Sequence, residues 1–198
     1  MADLPDVARL REDLHFDADL LGRRLSFRST FGLFSPKGID DGTKLLLDHF
    51  QPATPADTTF DLGCGYGPLG LAFAAACPDG RVTLVDRDFL AVDYTNANAK
   101  LNGLANATAR LGHGFVGTDP SERFDNVVSN LPAKTGGELL SVLLHDAHAH
   151  LKPGGRLCVV TVTGLRRFIE RHMKARFGNY KKLKQSPGYT VAMATRIE

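Results

Sequence analysis

The sequence contains no tryptophan and only three cysteines in 198 residues. Cys64, Cys77 and Cys158 are odd in number and widely spaced, which supplies neither a disulfide framework nor the paired spacing of a zinc site. A reducing compartment, the cytoplasm, is therefore expected. No stretch approaches the ~20 apolar residues of a membrane span. The N-terminal Met1-Ala2-Asp3-Leu4-Pro5-Asp6 is acidic and lacks the basic-then-apolar order of a secretory signal. Internal repeats and low-complexity tracts are missing as well, which excludes solenoids and disordered arrays. With no histidine near it in sequence, Cys64 reads as a small filler of a glycine turn and not as a nucleophile.

What is present is an ordinary globular composition, 43% hydrophobic and 23% charged. The length suits one domain, whose core needs no disulfide. A single domain over residues 1–198 is expected. Residues 1–52 form an N-terminal cover, and residues 53–198 form the main α/β core beyond the proline-bearing connector Gln51-Pro52-Ala53-Thr54-Pro55. Net charge is only +2, but residues 151–198 carry 11 Lys and Arg against 2 acids. Charge alone favours a solvated basic helix face there, and a polyanion partner gains weight only if another feature implies nucleic acid.

In the cover, the pattern predicts a short N-terminal helix, a hairpin around Leu25–Phe34 and a helix from Ile39 to Phe50. Beyond Pro55 strands and helices alternate. Strands are expected at Thr58–Leu62, Arg81–Val85, Ala107–Leu111, Phe124–Ser129 and Arg156–Thr163, with helices at Leu69–Cys77, Phe89–Leu101, Glu138–Leu151 and Leu165–Phe177. Two terminal strands follow, around Tyr180–Lys184 and Thr190–Ile197. This spacing predicts a Rossmann-like, seven-stranded, mostly parallel sheet with helices on both faces and an antiparallel C-terminal strand.

The chemistry concentrates in Asp61-Leu62-Gly63-Cys64-Gly65-Tyr66-Gly67, a glycine-rich turn between a strand and a helix opened by Pro68. Taken alone it is ambiguous, because Gly65-Tyr66-Gly67-Pro68-Leu69-Gly70 also fits the dinucleotide fingerprint G-x-G-x-x-G. Asp61 favours one reading. A carboxylate before the first glycine repels a pyrophosphate but suits the cationic amino-acid end of S-adenosylmethionine. Asp86 closes the next strand, where a carboxylate accepts ribose hydroxyls in either kind of enzyme, so it does not discriminate. Ser129-Asn130-Leu131-Pro132 closes the fourth core strand, where a reacting group belongs and where a nicotinamide enzyme has no use for Asn-x-Pro. His145, His148 and His150 read as a solvated helix face, with no metal site expected.

With these residues in place, the chain resembles class I S-adenosylmethionine-dependent methyltransferases of the small-domain type that modify the N2 amine of guanine in small-subunit ribosomal RNA, in a single-domain form. Phe34-Ser35, Asp40, Gly42-Thr43 and Leu45-Leu46-Leu47 resemble that family's distinctive N-terminal motif. The glycine turn resembles its cofactor loop, and Leu151-Lys152-Pro153-Gly154-Gly155 the turn before its fifth strand. Asn130-Leu131-Pro132-Ala133 stands where the family has Asn-Pro-Pro-aromatic. The resemblance implies cofactor contacts from Phe34, Ser35, Thr43, Asp61, Gly63, Cys64, Gly65, Gly67, Asp86, Arg87, His113 and Asn130, and catalysis by Asn130, Leu131 and Pro132. It also implies an RNA partner, which gives the basic C-terminal third a phosphate-binding role. Two departures stand out. Leu131 replaces a proline, and Ala133 replaces the aromatic residue that stacks on a flipped base. A small-molecule or protein amine therefore remains an alternative substrate, as does a non-catalytic RNA-binding protein retaining the fold.

Overall fold

Asparagine side chains decide how the N-terminal cover attaches. The computed structural model describes residues 6–198. A four-residue helix α1 (Val7–Leu10) is capped by the Asp6 carboxylate. It leads into an antiparallel hairpin, β1 (Leu14–Leu20) and β2 (Arg23–Ser29). The hairpin thus lies earlier than the expected Leu25–Phe34. Its turn is Leu21-Gly22, both at positive φ (49° and 72°), the geometry of a two-residue hairpin turn. A leucine in that position gives no turn signal, which is why the pattern misplaces it. Residues 30–38 instead form a loop that delivers α2 (Asp41–His49), capped by Asp40.

The core follows as β3 (Thr59–Leu62), α3 (Pro68–Ala76), β4 (Val82–Asp86), α4 (Phe89–Leu101), β5 (Ala107–Leu111), β6 (Phe124–Asn130), α5 (Gly137–His150), β7 (Leu151–Val162), a 3-10 turn (Thr163–Leu165), α6 (Arg166–Phe177), β8 (Lys181–Gln185) and β9 (Tyr189–Thr195). The strands form one seven-stranded sheet in the order β5-β4-β3-β6-β7-β9-β8. Neighbours from β5 through β7 pair in parallel, and β9 runs antiparallel to both β7 and β8. Alternate side chains of the central strands feed two apolar clusters. One contains Leu46, Leu71, Ala99, Val128 and Val160, under α2, α3, α4 and the hairpin. The other contains Phe60, Val127, Leu140, Val159, Ile169 and Met173, under α5 and α6. Helices on both faces of an open parallel sheet make the doubly wound layer arrangement.

The histidines of α5 depart from expectation. His145 is exposed, but His148 packs edge-on against Phe177, and His150 stacks on Phe115 with ring centroids 4.8 Å apart. His148 and His150 thus pack against α6 and the β5–β6 loop, and only His145 keeps the expected solvated face.

Helix α4 holds the hairpin by its backbone. Asn98 Oδ1 accepts from the Arg28 N–H (2.7 Å), and its Nδ2 donates to the carbonyls of Arg28 and Tyr66 (both 2.9 Å). One turn later Asn102 repeats the pattern on Ser26, at 2.9 and 2.8 Å. Asn96 does the same to Ala109 on edge strand β5, at 3.0 Å in both directions. Each amide mimics a strand's donor and acceptor, and so closes an edge that would otherwise stand open. Replacing the fully buried Asn98 by alanine strands the buried Tyr66 carbonyl and the half-buried N–H and carbonyl of Arg28. We expect Asn98→Ala to lower unfolding free energy by about 2–4 kcal/mol in urea titration, from ~1–3 kcal/mol per unsatisfied buried group. A loss under about 0.5 kcal/mol would mean that the hairpin is held by something else.

Candidate active site

The chain leaves β3 for β4 and β5 on one side, then returns to place β6 on the other. This reversal opens a crevice at the carboxyl ends of β3 and β6, where open α/β sheets bind ligands. A cavity of about 560 Å³ lies there. Every residue named above as a candidate lines it except Gly67. Gly67 sits just behind, as the left-handed N-cap of α3 (φ 95°).

Backbone contacts shape the glycine turn. The Val85 carbonyl accepts from the N–H groups of Gly63 and Cys64, at 2.8 and 3.1 Å. The Gly65 N–H donates to Asp86 Oδ2 at 2.9 Å, while Asp86 Oδ1 accepts from Asp88 N–H at 3.0 Å. Gly65 holds φ 58°, a left-handed conformation that side chains disfavour. Gly70 matters for another reason. A Cβ there would fall 2.4 Å from Leu84 Cδ2 and 2.8 Å from Asp61 Oδ2, so glycine lets α3 close down on β3 and β4.

That approach places the Gly70 N–H 2.8 Å from Asp61 Oδ2. Asp61 is 1% exposed, and its Oδ1 has no partner among the described residues. Burial, abetted by the nearby Asp86 charge, pushes its carboxyl up to about 7. A buried carboxylate oxygen beside a cavity is poised for a cationic ligand group. Burial likewise pushes the Cys64 thiol well up; its sulfur faces the Thr95 hydroxyl at 3.6 Å, so it is no thiolate nucleophile.

Across the crevice, Asn130 ends β6. Its Nδ2 donates to Asp40 Oδ2 (2.9 Å) and to Thr43 Oγ1 (3.0 Å). Asp40 Oδ2 also accepts the α2 N–H groups of Gly42 (2.8 Å) and Thr43 (3.2 Å), and Asp40 Oδ1 accepts the Tyr189 hydroxyl (3.0 Å). A carboxylate ringed by donors can only accept, so the nitrogen of the Asn130 amide must face it. Both amide hydrogens are spent, and Oδ1 is left for the cavity. The Leu131 N–H extends the β6–β7 ladder to the Val160 carbonyl (2.9 Å). The Leu131 side chain is buried in the core at 3% exposure, where only its backbone is available for chemistry. Pro132 and Ala133 are exposed at the rim. So are Phe34 (65%), Arg87 and His113. Ser35 takes φ 47°, and the Tyr66 hydroxyl ties its loop down through the carbonyls of Ser35 (3.3 Å) and Gly38 (2.9 Å).

In sequence, Asp40 stands out only as part of the N-terminal motif and Tyr66 only as part of the glycine turn, with no site role expected of either, and nothing marks Tyr189. Asp40 looks like an ordinary helix cap, which it also is. Tyr189 joins it from 149 positions away, and local pattern gives no sign of that contact.

A Rossmann-like sheet with a carboxylate-lined cofactor crevice and an oriented asparagine at its fourth core strand defines a methyltransferase architecture. Comparison with known proteins agrees. The profile of the methyltransferase small domain family matches residues 24–193, and the chain belongs to that family. The uncharacterized protein YbxB of Bacillus subtilis is 29% identical over 180 residues, covering 90% of this chain and 89% of its own length. Ribosomal RNA small subunit methyltransferase C of Klebsiella pneumoniae is 34% identical over 161 residues, covering 77% of this chain and 46% of that protein. Among solved structures, the T. thermophilus 16S rRNA N2 G1207 methyltransferase (RsmC), in complex with AdoMet and guanosine, superposes with a TM-score of 0.84 at 28% identity. That match covers 93% of this chain and 50% of the other. The chain thus spans about half the length of the ribosomal RNA methyltransferases it matches.

Asp61 gives this site a pH signature. Its folded carboxyl titrates near 7, above the ordinary 3.8, so between these values the folded state holds a proton that the unfolded chain has lost. Its contribution is therefore intact below about pH 4 and is lost as pH rises to about 7. Asp61→Asn keeps an acceptor for Gly70 and removes the buried charge. Thermal melts of the ligand-free protein should show the variant matching wild type near pH 4 and melting higher at pH 8. A variant equally or less stable at pH 8 would contradict the buried-charge account.

Proposed function

We propose that this chain is an S-adenosylmethionine-dependent methyltransferase acting on the exocyclic amine of a guanine in ribosomal RNA. The observation that carries the reading is the Asn130 amide, locked by Asp40 and Thr43 with its carbonyl oxygen left for the cavity. The cavity volume lies in the ~300–1,000 Å³ range of sites that enclose a cofactor. Its chemistry fits S-adenosylmethionine. The unpartnered Asp61 Oδ1 suits a cationic amino-acid end, Asp86 suits ribose hydroxyls, and the left-handed Gly63 and Gly65 leave open space at the turn. When bound, the cofactor supplies an electrophilic methyl group on a sulfonium.

The protein's task is then to position and desolvate a weak nucleophile. The lone pair of a guanine amine is delocalised into its ring. Asn130 Oδ1 and the Leu131 carbonyl accept hydrogen bonds from the two amine N–H groups and favour the pyramidal nitrogen that has that lone pair free. This contact is stronger in the transition state than in the ground state. Once methylated, the nitrogen gives up its surplus proton to water. Pro132 stiffens the loop, and its carbonyl accepts the Thr135 N–H (3.2 Å) in the turn that follows. Ala133 offers no ring to a flipped base. Phe34, a largely exposed aromatic in the same cavity lining, is available for that stacking. The three free, buried thiols suit the cytoplasm, where such a substrate resides. No helix among the described residues is long and apolar enough to cross a membrane.

The test is transfer of a labelled methyl group from S-adenosylmethionine to RNA, protein and small-molecule pools, with wild type and Asn130→Ala. Label should enter RNA as N2-methylguanosine. Asn130→Ala should cut transfer at least about a hundredfold while cofactor Kd moves less than about threefold, the pattern of an interaction made in the transition state. Label confined to protein or small molecules would overturn the substrate. Equal loss of transfer and cofactor affinity would reduce Asn130 to a structural residue.

A further inference from the structure

Outside the cavity, three cations of the C-terminal third converge at one place. Arg166 and Arg167 open α6, Lys182 comes from β8, and together with Glu170 and Tyr180 they line a second pocket of about 330 Å³. Arg166 Nη1 and Lys182 Nζ both donate to Gln185 Oε1, each at 3.2 Å. Two like charges are thus gathered on one neutral oxygen, and the nearby Glu170 carboxylate, held below its ordinary range chiefly by Lys174, offsets them only in part. Glu170 is already paired with Lys174 at 2.7 Å. No carboxylate among the described residues forms an ion pair with Arg166, Arg167 or Lys182.

The position of this pocket is as telling as its charge. Arg166 lies four positions after Val162, and Gln185 four before Tyr189; both Val162 and Tyr189 line the cavity. Four residues of chain reach at most about 14 Å. The two connections are tied together, since Thr163 N–H donates to the Gly188 carbonyl (3.0 Å) and Thr163 Oγ1 to the Ser186 carbonyl (3.3 Å). The cationic pocket is therefore fixed relative to the mouth of the crevice. We infer that Arg166, Arg167 and Lys182 form a phosphate subsite that grips an RNA phosphodiester a few nucleotides from the target guanine. The inference rests on the RNA reading above and adds to it a specific place of contact. Guanidinium forks suit the two non-bridging oxygens of a phosphodiester. Such a grip sets the register of the strand and leaves base selection to the cavity.

The test uses the full chain, a short single-stranded RNA containing guanine, and fluorescence anisotropy between 50 and 200 mM salt. Counterion release gives about 0.7 in the log–log slope for each single-strand phosphate neutralised. The Arg166→Ala/Lys182→Ala double variant should lose about 0.7 of that slope, the share of one phosphodiester, and bind about tenfold more weakly at the lowest salt. Arg166→Lys should retain the wild-type slope, and cofactor Kd should stay unchanged in both variants. A double variant with the wild-type slope would overturn the subsite, even if affinity fell. Wild-type protein that transfers no methyl group to RNA and binds it without salt dependence would instead defeat the RNA reading itself. Transfer to RNA by wild type together with an unchanged slope in the variant would remove the subsite alone.

Discussion

The Asp40 carboxylate accepts from four donors on three distant stretches of chain. Gly42 and Thr43 belong to α2, Asn130 to the end of β6, and Tyr189 to the start of the antiparallel strand β9. One group therefore caps a helix, pins the N-terminal cover to the sheet and turns the asparagine amide so that its oxygen is free. The close fit extends to Gly42, where a Cβ would come within 2.8 Å of both Asp40 Oδ2 and the Tyr189 ring. A half-buried carboxylate with this many donors is stable where it stands, and its charge leaves Asn130 no choice of orientation. Preorganisation of this kind is what a positioning enzyme needs, since the donors and acceptors do not rearrange during reaction.

The opposite wall of the crevice works by the reverse principle. Asp61 is buried with an oxygen unsatisfied, at a cost to the ligand-free fold, because Gly70 lets α3 approach so closely. The strand reversal between β3 and β6 brings these two walls together. A site satisfied on its acceptor-orienting side and unsatisfied on its ligand side is one that a cationic ligand completes.

The α/β order of the core was legible in the sequence because each βα unit is coded locally, by apolar strands, alanine-rich helices and glycine stops. The predicted element ends fall within a few residues of the observed ones, with the largest shift at β7, which begins at Leu151 and not Arg156. The Leu21-Gly22 turn was not legible, since a leucine at positive φ depends on the surrounding hairpin and not on its own preference. The positions of Asp61, Asp86 and Asn130 could be anticipated because they follow from strand ends in a parallel sheet. The partners that orient Asn130 could not, because Asp40 and Thr43 meet it, and Tyr189 meets Asp40, only through tertiary contact. The same holds for Asn98 and Asn102. In sequence they are polar residues of a helix, and only the fold shows them acting as strand substitutes.

The orientation of Asn130 by Asp40 is the centre of this account, and Asp40→Ala tests it most directly. The oxygen that accepts from Asn130 is the same one that caps α2, so an amide at position 40 would keep an acceptor there; alanine removes it. Asn130 is then left with the Thr43 hydroxyl, which can donate as well as accept, and nothing fixes which of its amide atoms faces the cavity. Steady-state kinetics of methyl transfer should show kcat reduced at least about tenfold, with cofactor Kd close to wild type and unfolding free energy lower by about 1 kcal/mol for the lost cap. Wild-type kcat in a folded, cofactor-binding Asp40→Ala protein would contradict it.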